Sequence, residues 1–352
     1  MTPSRPLTIA FLLATPGTTW GGMEQHTADL AGALAHRGHS VHVLGHRAYC
    51  ARFPTPVRFH PLPVHLGRRN PWLGFALRRC LRRLAPDILH AQGNKAAQLA
   101  GKKAIPATVR VGTVHGTKSS HSAFQRLDQV IAVSPGIFQA LHHPHKRLIY
   151  NGVDTARPQT HQADKPMLQE GVINAVAVGR LEPVKGFATL IRAWSLLGPS
   201  AEHCHLTIFG EGREHKTLER LIHQRGLKKK VSLAGYSGNL SPAYEQADLT
   251  IISSEREGFP YVLVEALLHG CPVVSTPVSG PRDILPPMAI SRSHGDQDLA
   301  DLLLLALNNL TALNEAEQSA MAYARETLTL EAMVEQTETL YREALSGPPK
   351  TG

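Results

Sequence analysis

Short runs of Val, Ile, Leu and Ala alternate with helix-sized amphipathic stretches along most of the chain. In the first half the runs fall at 7–14, 41–45, 88–91, 108–114, 130–133 and 147–150. After a polar stretch they resume at 172–178, 205–209, 231–235, 249–252 and 272–276. Continuously apolar runs suit strands buried on both faces, and such strands belong to parallel sheets covered by helices on each side. The pattern predicts an α/β chain with two doubly wound sheets, and 352 residues leave room for two domains of ordinary size.

Residues 23–37 show the helical counterpart. Met23, Thr27, Leu30, Ala31 and Leu34 follow a helical period, and the segment stops at Gly38, where a left-handed cap is wanted. Residues 296–309 and 312–346 read as further helices. Between Asp154 and Gly171 the chain is polar, with two prolines and no apolar period, as a linker would be. The expected organisation is a first domain over 1–155, a linker over 156–170, a second domain over 171–330, and a C-terminal helix and tail over 331–352. Ligands of doubly wound sheets bind beyond the carboxyl ends of the strands, so the expected site is a cleft between two domains that face each other.

Composition narrows the class. With 42% hydrophobic and 18% charged residues, disorder, collagen and coiled coil fit poorly. Cys50, Cys80, Cys204 and Cys271 lie far apart, which argues against a disulfide scaffold or zinc ribbon and suits a reducing cytosol. Leu7–Ala14 after Arg5 imitates a signal peptide, but a Gly-rich turn and an amphipathic helix follow at once, so it reads as a first strand. No apolar run approaches the roughly 18 residues of a membrane span, and the expected location is cytoplasmic.

The net charge of +9 is unevenly placed: up to Thr155 there are 19 Lys+Arg against 5 Asp+Glu, and beyond it 18 against 23. A basic first half suits an anionic partner. Nucleic acid fits least, because aromatic residues are few and no nucleic-acid-binding signature is present. Arg78, Arg79, Arg82 and Arg83 share a helix-like segment with Leu73, Leu77, Leu81 and Leu84, just after Trp72 and Phe75. Two readings stay open: a helix lying on an anionic bilayer, or a sheet-packing helix with a solvated basic side. The expectation is peripheral binding at the inner face of the cytoplasmic membrane.

Chemistry-bearing residues gather where strands end. Gly21 and Gly22 precede the first helix; they either let an anion approach its N–H groups or form a tight turn at positive φ. Arg180 and Lys185, five residues apart after a strand, either clamp a diphosphate from two sides or are plain surface charge. Gly210 and Gly212 suit close backbone approach or a plain turn. Ser253 and Ser254 end a strand, Glu257 lies in the following turn, Pro260 suits the first helical position, and Glu265 falls on an otherwise apolar helix face. A carboxylate there needs hydrogen-bond donors, and a ribose diol supplies two. Asp296-Gln297-Asp298 matches a metal-binding D-x-D by letters but reads as a helix cap. The 20 histidines show no metal-ligand spacing, and no metal is expected.

These motifs together carry a resemblance. E-G-F-P-Y-V-L-V-E-A at 257–266, G-R-L-E-P-V-K-G at 179–186, N-G-V-D at 151–154, P-D-I-L-H-A at 86–91 and G-G-M-E at 21–24 resemble, in order, the retaining glycosyltransferases of family 4. The resemblance implies the GT-B fold, two Rossmann-like domains facing a cleft. It implies transfer of a hexose-type sugar from a nucleotide diphosphate, UDP favoured, to a lipopolysaccharide-core or lipid-linked glycan, with configuration retained and no metal. Arg180 and Lys185 are similar to the pair that binds the donor diphosphate. Glu265 resembles the glutamate on the ribose, and Glu257 the one facing the transferred sugar. Gly258, Phe259, Pro260, Val262 and Leu263 would approach sugar and phosphate, with Gly179 in the adjoining loop. Gly22 matches the glycine loop over the donor, His115 a histidine reaching the donor sugar, and Gly235 with Tyr236 the seat of the base. Ser279–Asp283 departs from the family pattern. Other readings of the same architecture are a nucleotide-sugar epimerase, a transferase to a soluble acceptor, and a non-catalytic scaffold.

Overall fold

The computed structural model describes residues 5–15, 20–116, 120–154 and 168–347. Most of the expected linker, residues 156–167, lies outside the described residues. The chain divides into two units, Met1–Gly152 with Leu330–Gly352, and Val153–Thr329.

The first unit holds a seven-stranded parallel sheet. Its strands are β1 (Thr8–Leu13), β2 (Ser40–Gly45), β3 (Arg58–Pro61), β4 (Ile88–Gln92), β5 (Val109–Val114), β6 (Gln129–Ala132) and β7 (Lys146–Leu148). They run in the order β3-β2-β1-β4-β5-β6-β7. The second unit holds β8 (Ile173–Val178), β9 (Cys204–Phe209), β10 (Val231–Gly235), β11 (Leu249–Ile252) and β12 (Val273–Ser275), ordered β10-β9-β8-β11-β12. Each sheet reverses direction beside its first strand, between β1 and β4 and between β8 and β11. Such switch points open a crevice at the strands' carboxyl ends.

Every apolar run picked out in the sequence is a strand. The run at Leu7–Ala14 is the central β1, paired with β2 and β4 and almost wholly excluded from solvent. β3 has no counterpart among the runs: its RFHP sequence is polar, because it forms the sheet's edge and buries no complete face.

Side chains alternate across β1, so Ile9 and Phe11 point to one side. There they meet Leu30 and Leu34 of the helix Gly22–His36, and Met333, Val334, Leu340 and Tyr341 of the helix Leu330–Ser346. Burying side chains of this size contributes about 1.5–3 kcal/mol each. The C-terminal helix therefore belongs to the core of the first unit. Its outer side is tied down by Arg37, whose guanidinium pairs with Glu338 at 3.0 Å and with Glu331. The single helix predicted over 312–346 is two, Leu310–Thr327 and Leu330–Ser346. They break at Leu328, whose carbonyl accepts from Val153 N–H at 3.1 Å. No glycine or proline marks the break.

In the second unit, helix Phe187–Leu196 packs against Asp296–Asn308, and Tyr261–Leu268 against Leu310–Thr327. Gly295, not an aspartate, caps the helix Asp296–Asn308; Asp296 and Asp298 stand in its first turn, where carboxylates complement the helix dipole. Arg192 takes Asp296 at 2.6 Å and Arg292 takes Asp298 at 3.2 Å. No described helix is long and apolar enough to cross a membrane.

Candidate active site

The carboxyl ends of β8, β9 and β11 lie side by side, and glycines let their loops interlock. A Cβ on Gly186 (φ +67°) would stand 1.9 Å from the Ser253 carbonyl oxygen after β11. One on Gly210 (φ +137°) would stand 1.9 Å from the Gly179 carbonyl oxygen after β8. Gly212 is closed off in the same way by the backbone of Leu181, whose N–H donates to the Glu211 carbonyl at 2.9 Å. No side chain fits at these contacts. Gly210 and Gly212, which the sequence left open between turn and close approach, are thus close-approach positions.

This interlocking brings Lys185 to Glu257. Lys185 Nζ lies 2.6 Å from Glu257 Oε1, and Ser254 Oγ donates to the same oxygen at 2.6 Å. Ser253 Oγ donates to the Lys185 carbonyl at 2.9 Å, holding the loop that presents the lysine. The Arg180 side chain, on the same loop, is exposed. Two cations and a carboxylate thus share one strand-end surface, a setting that binds anionic and hydroxyl groups together.

Pro260 caps the helix Tyr261–Leu268 rather than occupying its first turn. Gly258, Phe259 and Pro260 are buried, and Gly280 (φ +92°) packs against the last two: a Cβ there would meet Pro260 Cδ at 2.9 Å. The 279–283 segment, which the motifs did not absorb, thus buttresses the turn. Within the helix, Val262 is partly exposed, and Leu263 is fully buried with its N–H on the Pro260 carbonyl at 3.2 Å. Glu265 is partly buried and accepts from Tyr244 Oη at 2.8 Å, so a protein hydroxyl supplies a donor for the carboxylate. Gly235 (φ +75°) closes β10, and Tyr236 beyond it is 67% exposed, a free aromatic face at a strand's end.

Gly22 and His115 belong to the first unit. Neither Gly21 nor Gly22 takes positive φ; Gly21 is extended at φ −145° and its N–H donates to Glu24 Oε2 at 3.0 Å. Glu24 is buried and also accepts from Thr15 Oγ1 at 2.6 Å. One N-terminal donor is thus satisfied by the chain itself.

His115, just after β5, meets His26 of the first helix edge-on at 4.8 Å between ring centroids. Its Nε2 stands 2.6 Å from Gln92 Oε1 at the end of β4. Burial holds the His115 imidazole well below its ordinary pKa, with His26 and His90 adding to the effect. Burial also lowers His26 to about 4. The rings are neutral at pH 7, and with Gln92 Oε1 accepting at Nε2, His115 Nδ1 carries the lone pair. Ser254 and Tyr244 in the second unit and Gln92 in the first are side-chain partners of these residues, and sequence reasoning gave none of them a role. Serine, tyrosine and glutamine are too common to signal a role without a partner in space.

Residues 20–157 match the family Glycosyltransferase Family 4, and residues 159–327 match Glycosyl transferases group 1. The Poly(glycerol-phosphate) alpha-glucosyltransferase of Bacillus subtilis is 35% identical over 122 residues, which is 33% of this chain and only 18% of that protein. The lipopolysaccharide core biosynthesis glycosyltransferase LpsE of Rhizobium meliloti is 26% identical over 277 residues, 74% of this chain and 77% of the relative. Among solved structures, Anabaena HepE in complex with UDP-glucose superposes with a TM-score of 0.76 at 19% identity, covering 95% of this chain and 99% of that one. With matches to the two families running from residue 20 to residue 327 and the GT-B fold in common, the chain belongs to the family 4, group 1 glycosyltransferases.

Proposed function

We propose that the chain transfers a hexose-type sugar from a UDP-sugar to a lipopolysaccharide-core or lipid-linked glycan acceptor, with retained configuration and without a metal. The observation that carries this reading is Lys185 held 2.6 Å from Glu257 on loops interlocked through Gly186 and Gly210. Lys185 and Arg180 stabilise the negative charge that develops on the departing diphosphate, the role a divalent cation has in other transferases. Glu257, oriented by Ser254 and Lys185, accepts hydrogen bonds from hydroxyls of the transferred sugar. Glu265 holds the ribose, Tyr236 offers its exposed ring to the base, and the turn Gly258–Pro260 leads into the positive end of the helix Tyr261–Leu268.

Two relatives support the substrate class. HepE has been solved with UDP-glucose, and LpsE is named for lipopolysaccharide core biosynthesis. A lipid-linked acceptor suits the basic first unit, and the protein works peripherally at the inner face of the cytoplasmic membrane.

The test is thermal unfolding with UDP, GDP and ADP in the presence of EDTA, followed by turnover assays. A ligand at ~100 times its Kd adds about 2.7 kcal/mol. UDP is expected to raise the midpoint by several degrees while GDP and ADP do not, and UDP-sugar is expected to release UDP only when glycolipid is supplied. A shift that needs added metal, or release of UDP without acceptor glycolipid, overturns the reading.

A further inference from the structure

Glu265 stands on the helix Tyr261–Leu268, and its Oε2 accepts from the Tyr244 hydroxyl at 2.8 Å. Tyr244 comes from the short helix Ser241–Gln246 and is 1% exposed. Its ring stacks on His269 at 5.8 Å and 28°, and His269 Nδ1 in turn lies 2.7 Å from the Glu265 carbonyl oxygen. The phenol is therefore fixed by packing on its ring, and its hydroxyl has one direction left. Burial and the neighbouring Glu265 charge hold it well above the ordinary tyrosine range, so it remains a donor at any physiological pH.

We propose that Tyr244 is a positioning residue: it locks the Glu265 carboxylate in the orientation that receives the ribose diol of a nucleoside diphosphate. The proposal rests on the reading of the second unit as a nucleotide-sugar site. A glutamate side chain has three rotatable bonds, and freezing them on binding weakens the complex. A buried phenol bonded to one carboxylate oxygen freezes them beforehand. Tyr244 itself need not touch the nucleotide.

The experiment measures binding of UDP, 2′,3′-dideoxy-UDP and inorganic pyrophosphate by calorimetry to the wild-type protein, Tyr244→Phe and Glu265→Gln. Tyr244→Phe keeps the buried ring and its stacking; Tyr244→Met, a second hydroxyl-free side chain, gives the same readout if the phenylalanine variant fails to fold. The wild type is expected to favour UDP over the dideoxy analogue at least ~10-fold, as for a charged hydrogen-bond partner. Glu265→Gln is expected to lose most of that preference. Tyr244→Phe is expected to bring it below ~3-fold while pyrophosphate binds as in the wild type, a pattern that general loosening of the fold does not produce. A full preference in Tyr244→Phe, with the preference lost in Glu265→Gln, overturns the positioning role alone. A preference unchanged in Glu265→Gln overturns the ribose assignment and the proposal with it. Absence of UDP binding to the wild type overturns the donor reading and everything built on it.

Discussion

Lys185 Nζ and Glu257 Oε1 lie 2.6 Å apart with 20% and 12% of their side chains exposed, so neither charge is fully hydrated. Removing one partner of a fully buried pair costs about 3–5 kcal/mol; the exposure here screens part of that, leaving about 1–3 kcal/mol. Lys185→Ala is expected to lower the unfolding midpoint accordingly. The larger effect is on turnover: Lys185→Ala and Glu257→Gln each lose at least ~100-fold, as when charge stabilisation is removed from a transition state. Steady-state assays with UDP-sugar and glycolipid measure it. A near-normal rate in either variant sinks the assignment of these two residues.

Gly186 and Gly235 both adopt positive φ, +67° and +75°, but only one is crowded. A Cβ on Gly186 would meet the Ser253 carbonyl oxygen at 1.9 Å, whereas one on Gly235 would meet nothing within 4 Å. Gly235→Ala is expected to cost only the left-handed strain, about 1–2 kcal/mol. Gly186→Ala must displace the Lys185 loop from the end of β11, so it is expected to lose more stability and the nucleotide-induced thermal shift as well. Differential scanning of both variants with and without UDP checks the contrast, and equal losses would show that the interlocked loops are not as described.

Much of the scaffold was legible because buried parallel strands leave continuous apolar runs. β3 was not, since an edge strand can be written in polar residues. Nor was the break at Leu328, where the chain crosses into the first unit without a helix-breaking residue. In the site, the charged residues drew attention by type and spacing, but their partners did not. Ser254 lies beside Glu257 in sequence and carries no distinguishing signal. Tyr244 reaches Glu265 across 21 positions, and Gln92 reaches His115 across 23. Glu265 on an apolar helix face signals by its position that it needs a donor. That one of its donors is a tyrosine from the preceding helix depends on how two helices pack, which local pattern does not encode.

Glu317 has a buried carboxylate whose Oε2 accepts from Val273 N–H at 2.9 Å, while Oε1 has no partner among the described residues. Burial pushes its pKa up from 4.5 to about 8. Below pH 4.5 the folded and unfolded chains both hold the proton. Between 4.5 and about 8 the unfolded chain releases it while the folded one keeps it, so this group's contribution to stability falls as pH rises through that window and is flat above it. Glu317→Gln keeps the acceptor for Val273 and removes the ionisation. It is expected to flatten the pH dependence of the midpoint between 4.5 and 8 and to gain about 2–5 kcal/mol at pH 8. Equal slopes in wild type and variant would show that Glu317 is ionised in the fold.

The helix Pro71–Leu84 packs one side on the first unit and leaves a basic side in solvent, as the second of its two sequence readings has it. Leu73, Leu77 and Leu81 are buried in the first unit, while Arg79, Arg82 and Arg83 are exposed. Trp72 and Phe75 are 63% and 53% exposed and stack on each other with ring centroids 5.7 Å apart. Asn70 and Pro71 start the helix firmly, with Asn70 Oδ1 accepting from Trp72 N–H at 2.9 Å, so the aromatic pair sits on an ordered turn. Paired aromatic rings beside exposed arginines suit the headgroup layer of an anionic bilayer, where each basic residue contributes about 1 kcal/mol. Arg79→Glu, Arg82→Glu and Arg83→Glu combined are expected to abolish sedimentation with phosphatidylglycerol vesicles at low salt. Trp72→Ala with Phe75→Ala is expected to weaken it while leaving the unfolding midpoint within about 2 °C, since exposed side chains contribute little to the core. If the wild-type protein stays in the supernatant with these vesicles at low salt, the aromatic pair and the arginines are only a solvated face, and the peripheral membrane assignment fails.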